Sequence, residues 1–199
     1  MSIGQILENL KSFSVEEALL WRAEAKPGQQ KRVSDIVRSF CDNQENIKFC
    51  SHLLVLNQYK DIGEFFLANL ILKPSTLSWD EKEMVARHPA LSSNFLREKK
   101  MKLGVKEEEI LYHHERWDGQ GHFGLKGEDI PFTCRVLAPI DVYVALTSDR
   151  PYRRAYPYDQ ALKEIRGQAG KAFDLHLMEE VIKAIQSPAP YCEKLACQK

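Results

Sequence analysis

The chain of 199 residues has no excess of charge: 28 Lys and Arg balance 28 Asp and Glu. A global polyanion-binding role is therefore excluded, and any phosphate recognition must come from a local cluster. No apolar run is long enough to span a bilayer and no signal-peptide pattern is seen, so the expected location is the cytoplasm. No CxxC pair occurs. Cys41, Cys50, Cys134, Cys192 and Cys197 are scattered, which suits reduced thiols in a cytoplasmic protein. Cys192 and Cys197 share a tail that starts Ser187-Pro188-Ala189-Pro190 and form the one candidate oxidation-sensitive pair. Repeats, low-complexity tracts and alternating strand patterns are also missing. The length fits one domain, or one with a short extension, able to bury roughly 70% of its unfolded surface.

What is present reads as helix. Ser14, with Glu17 three residues on, predicts a capped helix through about Ala25, broken by Lys26-Pro27-Gly28. Val33, Ile36, Val37 and Phe40 share one face of a helix from about Gln29 to Cys41. Further helices are expected at about 47–59, from Trp79 (capped by Ser78) past His88, at about 106–116, at about 158–168 and at about 175–186. Pro89 is a candidate bend in the helix that passes His88. The segment 118–131 carries four glycines and should be a loop. Arg135–Ser148 is apolar on nearly every side and should be a central, buried helix.

Several polar residues stand out against this background. Asp141, in VLAPIDVYVAL, is costly to bury unless it is hydrogen-bonded, paired or bound to a cation. Asp61, His88, His113 and His114 are individually unremarkable. Together with Asp141 they form a set of His and Asp on successive helices, which suits divalent iron, manganese, zinc or nickel. Arg150, Arg153 and Arg154 make a local basic cluster beside Tyr152.

The stretch from Tyr112 to Arg153, with His113-His114-Glu115, a Gly-rich loop, Lys126-Gly127, Ile130-Pro131 and ALTSDRPYR, resembles the signature of HD-GYP domains, phosphodiesterases of cyclic di-GMP. Lys60-Asp61-Ile62-Gly63-Glu64 matches that family's HD-x-GK motif, and Arg87-His88-Pro89 its RHP. The resemblance covers about Gln29–Ile185. It implies an all-α fold, an HD-domain helical bundle of the HD-GYP type at 28–186. A helical extension (1–27) would precede it and a flexible tail (187–199) follow it.

The resemblance implies metal ligation by Asp61, His88, His113, His114 and Asp141, and ligand phosphates near Lys126, Arg150 and Arg153. The departures are specific. The histidines of the first metal position fall on Gln29 and Lys60, the motif lysine on Glu64, and the Tyr of GYP on His122, followed by Phe123. An ammonium at Lys60 would take the place of one ion and pair with Asp61 and Asp141. At most one divalent ion is expected, or none. The implied function is an impaired or inactive HD-GYP domain that binds a cyclic dinucleotide or a signalling protein such as a GGDEF-type cyclase. A working phosphodiesterase with a reduced metal site is the alternative. A scaffold with neither metal nor nucleotide is the third reading.

Overall fold

The structure, a computed structural model, describes residues 10–42, 47–149 and 153–187. These residues fold as helices α1 (Val15–Ala25), α2 (Gln29–Asp42), α3 (Ile47–Tyr59), α4 (Ala68–Ile71), α5 (Trp79–Val85), α6 (His88–Glu98), α7 (Glu107–Leu111), α8 (Phe132–Leu146), α9 (Tyr158–Gly167) and α10 (Met178–Gln186). Two short 3-10 segments, Ile62–Leu67 and Gly127–Asp129, join them. Among the described residues there is no strand, only an isolated bridge between Ala169 and Phe173. None of the helices is long and apolar enough to cross a membrane.

The caps form as the sequence predicts. Ser14 and Glu17 make a reciprocal capping box on α1, and Ser78 and Glu81 make one on α5. Gly28 takes φ +72° at the break between α1 and α2, a conformation that only glycine adopts freely. The apolar stretch expected to be central is so: α8 buries Val136, Leu137, Ile140 and Val144 against α2, α9 and α10.

Three expectations need correction. The helix from Trp79 does not pass His88; it stops at Val85, and His88 opens a new helix. Pro89 lacks an N–H, which costs nothing in a first turn where no intrahelical partner is needed, and it starts α6 instead of bending α5. The helix expected over 106–116 ends at Leu111, because the imidazole Nδ1 of His113 takes the Ile110 carbonyl at 2.6 Å. Cys41 and Cys50 are not free thiols: the α2–α3 hairpin brings their Cα atoms to 5.8 Å and they form a disulfide. Cys134 is free and buried, and burial pushes its thiol up to about 12. Cys192 and Cys197 lie outside the described residues, as do residues 188–199 of the expected tail.

One close approach holds the site's frame. A Cβ at Gly63 would lie 2.4 Å from the His88 carbonyl oxygen and 2.5 Å from the Ser92 nitrogen. The contact is backbone against backbone, and the Gly63 N–H also donates to Ser92 Oγ at 2.8 Å. Gly63→Ala should therefore push α6, and His88 with it, away from Asp61. Urea unfolding should show a loss of about 3 kcal/mol; wild-type stability would mean that α6 shifts freely.

Candidate metal centre and its cavity

Three chain segments end at one point. Asp61 follows α3 and precedes the Ile62–Leu67 turn, His88 opens α6, and His113 and His114 lie in the turn after α7. Each of the four residues directs one ligand atom inward, and these atoms lie within 4.8 Å of one another. His113 Nε2 is 3.0 Å from Asp61 Oδ1, and His88 Nε2 is 3.3 Å from the same oxygen. His88 Nε2 is 3.2 Å from the Nε2 atoms of both His113 and His114.

The backbone sets which nitrogen faces the cluster. His88 Nδ1 donates to the Val85 carbonyl at 2.9 Å and His113 Nδ1 to the Ile110 carbonyl at 2.6 Å. A carbonyl only accepts, so Nδ1 carries the proton and Nε2 presents its lone pair. Burial, the largest influence, holds His113 below its ordinary pKa despite the pull of Asp61. Desolvation, and then repulsion from His113 and His88, pushes His114 well below its ordinary value. His114 is the one exposed member of the four. Three imidazoles and one carboxylate converging on one point are a donor set for a divalent transition ion. Donors at about 2.1 Å from a tetrahedral ion lie about 3.4 Å apart, close to the spacings seen.

Beside this cluster sits a buried ion-pair network. Lys60, 2% exposed, places its Nζ 2.6 Å from Asp61 Oδ2 and 2.9 Å from Asp141 Oδ2. The contact with Asp141 is an ion pair and not an aligned hydrogen bond, since Asp141 Oδ2 has no hydrogen-bond partner of good geometry. Arg22, from α1, donates to Asp61 Oδ2 at 2.5 Å and to the carbonyls of Asn57 and Gln58 at 3.2 Å. Burial opposes the Lys60 ammonium, yet the Asp141 and Asp61 carboxylates outweigh it and raise its pKa above 10.5. Burial likewise opposes the Asp61 carboxylate. Lys60, Arg22 and the histidines overcome it and hold Asp61 well below 3.8. Two cations cancel two carboxylates here, so the network is neutral before any ion binds.

The two Asp61 oxygens thus have separate partners. Oδ1 faces the histidines; Oδ2 is taken by Lys60 and Arg22. A carboxylate that bridges two ions needs both oxygens. Asp141 is turned to Lys60 and is not one of the four clustered donors.

The other sequence-predicted residues are more dispersed. Glu64 is buried and neutralised by Lys26, at 2.5 and 2.6 Å, so its negative charge faces a lysine and not open solvent. His122 is exposed, its ring 5.8 Å from that of His114, and Lys126 is exposed on the glycine loop. Arg153 donates to the carbonyls of Ala145, Leu146 and Arg154 and covers the Tyr156 ring at 4.8 Å. It closes the end of α8 with the donors a phosphate would use. Arg150 and Tyr152 lie outside the described residues. His52 pairs with Glu109, away from the cluster.

Sequence reasoning missed Arg22, Lys26 and Glu115. Arg22 and Lys26 sit one turn apart on a segment expected to be an extension, and no local pattern marks them as partners of Asp61 and Glu64. Glu115 is 5% exposed and accepts the N–H groups of Phe123 and Leu125 at 2.7 Å, which shapes the glycine loop next to His114.

The cluster opens into a cavity of about 580 Å³. Its floor holds Arg22, Lys60, Asp61, His113 and His114. Gln29, in the position of the family's early histidine, lies on its wall, as does Val144. The farther wall belongs to α8, α9 and the segment around Phe173.

The comparisons with known proteins agree with this architecture. The family model described as HD domain matches residues 15–177, so α1 lies inside the matched span and the chain belongs to the HD domain family. The chain is 36% identical over 126 residues to the cyclic di-GMP phosphodiesterase response regulator RpfG of Xanthomonas campestris; this covers 62% of the chain and 33% of that protein. It is 34% identical over 126 residues to a cyclic di-GMP phosphodiesterase of Thermotoga maritima, covering 62% and 34%. It is 32% identical over 126 residues to a 3'3'-cGAMP-specific phosphodiesterase of Vibrio cholerae, covering 62% and 24%. The chain spans about a third of the length of the first two of these curated relatives. A crystal structure of a cyclic GMP-AMP specific phosphodiesterase of V. cholerae superposes with a TM-score of 0.62 at 20% identity, covering 86% of this chain and 48% of that one. That likeness shows the fold. The relatives accord with the HD-GYP resemblance read from the motifs.

Proposed function

We propose that the chain is a cyclic-dinucleotide-binding HD domain whose hydrolytic site has been reduced to one ion. The observation that carries this reading is the Lys60 ammonium, buried between Asp61 and Asp141, where it supplies positive charge that a second cation would otherwise bring. Asp61, His88, His113 and His114 would hold the remaining ion. Such an ion supplies Lewis acidity toward a phosphoryl oxygen and activation of water, but two-ion phosphodiesterases share that work between both ions. The residues around it bind and neutralise. Their charges cancel, so a divalent ion makes the floor net positive and suited to a phosphodiester anion.

The intact four-residue cluster favours a second reading, a slow phosphodiesterase on the same substrate class. No feature of the described residues favours a GGDEF-type protein partner over a nucleotide. A cytoplasmic location belongs to the reading, although the Cys41–Cys50 disulfide is unusual for a reducing compartment.

The test is calorimetric titration of cyclic di-GMP into protein loaded with iron or manganese, with turnover followed by chromatography. Binding with little or no hydrolysis is expected. Hydrolysis lost in both His113→Ala and Asp61→Ala would establish the second reading, and no binding by the loaded protein would overturn both.

A further inference from the structure

The cavity continues beyond the charged floor into a wall that the metal chemistry does not use. Ala138, Val142, Ala145 and Leu146 of α8 and Ile165 and Phe173 form an apolar slot. Tyr156 lines the slot as well, with the Arg153 guanidinium against its ring. Glu164 of α9 and Gln168, the residue that caps its C-terminal end, line the cavity beside these apolar groups, as do Gln29 and Gln30 of α2. The Glu164 carboxylate makes no hydrogen bond or ion pair among the described residues, and the same holds for the carboxamides of Gln168 and Gln29. Flat apolar walls with polar groups at the rim are what a heterocyclic base requires, and a volume of about 580 Å³ is of small-molecule size.

We propose that Glu164 reads the base of the bound dinucleotide and selects guanine over adenine. This inference rests on the reading given under the proposed function. Guanine presents two parallel donors on one edge, N1–H and the exocyclic amine, which match the two oxygens of an ionised carboxylate. Adenine presents an acceptor nitrogen at the equivalent place, so its lone pair would face the Glu164 carboxylate. Gln168, one turn away, has a carboxamide N–H for the guanine carbonyl oxygen. The apolar slot and the Arg153-backed Tyr156 ring hold the base by its faces, which every base shares. Discrimination therefore concentrates on Glu164.

The test uses the full chain loaded with manganese and compares cyclic di-GMP, 3'3'-cGAMP and cyclic di-AMP by calorimetry. Wild type should prefer cyclic di-GMP over cyclic di-AMP by on the order of 10- to 100-fold, with 3'3'-cGAMP between or equal to cyclic di-GMP. In Glu164→Gln the cyclic di-GMP to cyclic di-AMP ratio should collapse to within a few-fold. Glu164 is exposed and unpaired, so the variant should keep its fold, and an unchanged melting temperature verifies this. A ratio unaltered by Glu164→Gln, or an equal loss for all three ligands, would overturn the inference while leaving cyclic-dinucleotide binding intact. Failure of wild type to bind any of the three would overturn the functional reading and this inference with it.

Discussion

Lys60→Met should destabilise the metal-free protein by about 3 kcal/mol, read from urea unfolding in chelator, because it removes one partner from a buried ion pair. Arg22 still compensates Asp61 after the change. Asp141 does not fare as well: Lys60 is its one cation among the described residues. Its side chain is 22% accessible, so water relieves part of the cost, which places the effect at the low end of about 3–5 kcal/mol. The pH dependence gives a sharper signature. The Lys60 pKa in the folded protein lies above 10.5, so its contribution is complete below 10.5 and fades only as pH rises through the higher folded value. The gap between wild type and variant should therefore stay constant from neutral pH up to 10.5. A gap that closes near neutrality would mean that the folded protein holds Lys60 uncharged.

The double change Gln29→His with Lys60→His should raise bound metal from about one to about two equivalents and increase hydrolysis of cyclic di-GMP, because two imidazoles replace an ammonium and an amide beside Asp61 and Asp141. The Lys60 change releases Asp61 Oδ2 from one of its two cations, and Arg22 continues to hold it at 2.5 Å. Adding Arg22→Gln should therefore raise occupancy further. Gln29 lines the same cavity as Lys60 and Asp141, which puts the new histidine on the correct wall. If occupancy does not rise in a variant with wild-type circular dichroism and melting, Lys60 does not stand in a vacated metal position.

Much of this site was legible in the sequence because its chemistry is carried by residue types at fixed spacings. His113-His114, His88 and Asp61 are weak signals one by one; the match to the HD-GYP motifs singled them out, and the fold brings these four together. The expectation that Lys60 pairs with Asp61 and Asp141 came from the HD-GYP motif match, which set it in a metal position, together with the charge of an ammonium beside two carboxylates. Helix caps at Ser14 and Ser78 were equally local. What stayed hidden depends on contacts distant in sequence. Arg22 reaches Asp61 across 39 positions, and Lys26 reaches Glu64 across 38. Glu115 is explained only by the loop N–H groups it accepts. The Cys41–Cys50 disulfide needs the α2–α3 hairpin geometry, which spacing does not reveal. The boundaries at Val85 and Leu111 go with a proline that opens the first turn of α6 and with an imidazole that bonds a helix carbonyl.

The most direct test of the single-ion account is elemental analysis of protein purified without chelators. The account predicts about one equivalent of a divalent transition metal per chain, lost in both Asp61→Ala and His113→Ala. Two equivalents would contradict it by showing that the Lys60 ammonium leaves room for a second ion. None, in protein that also fails to take up added manganese, iron or zinc, would contradict it by showing that the four converging donors hold no ion.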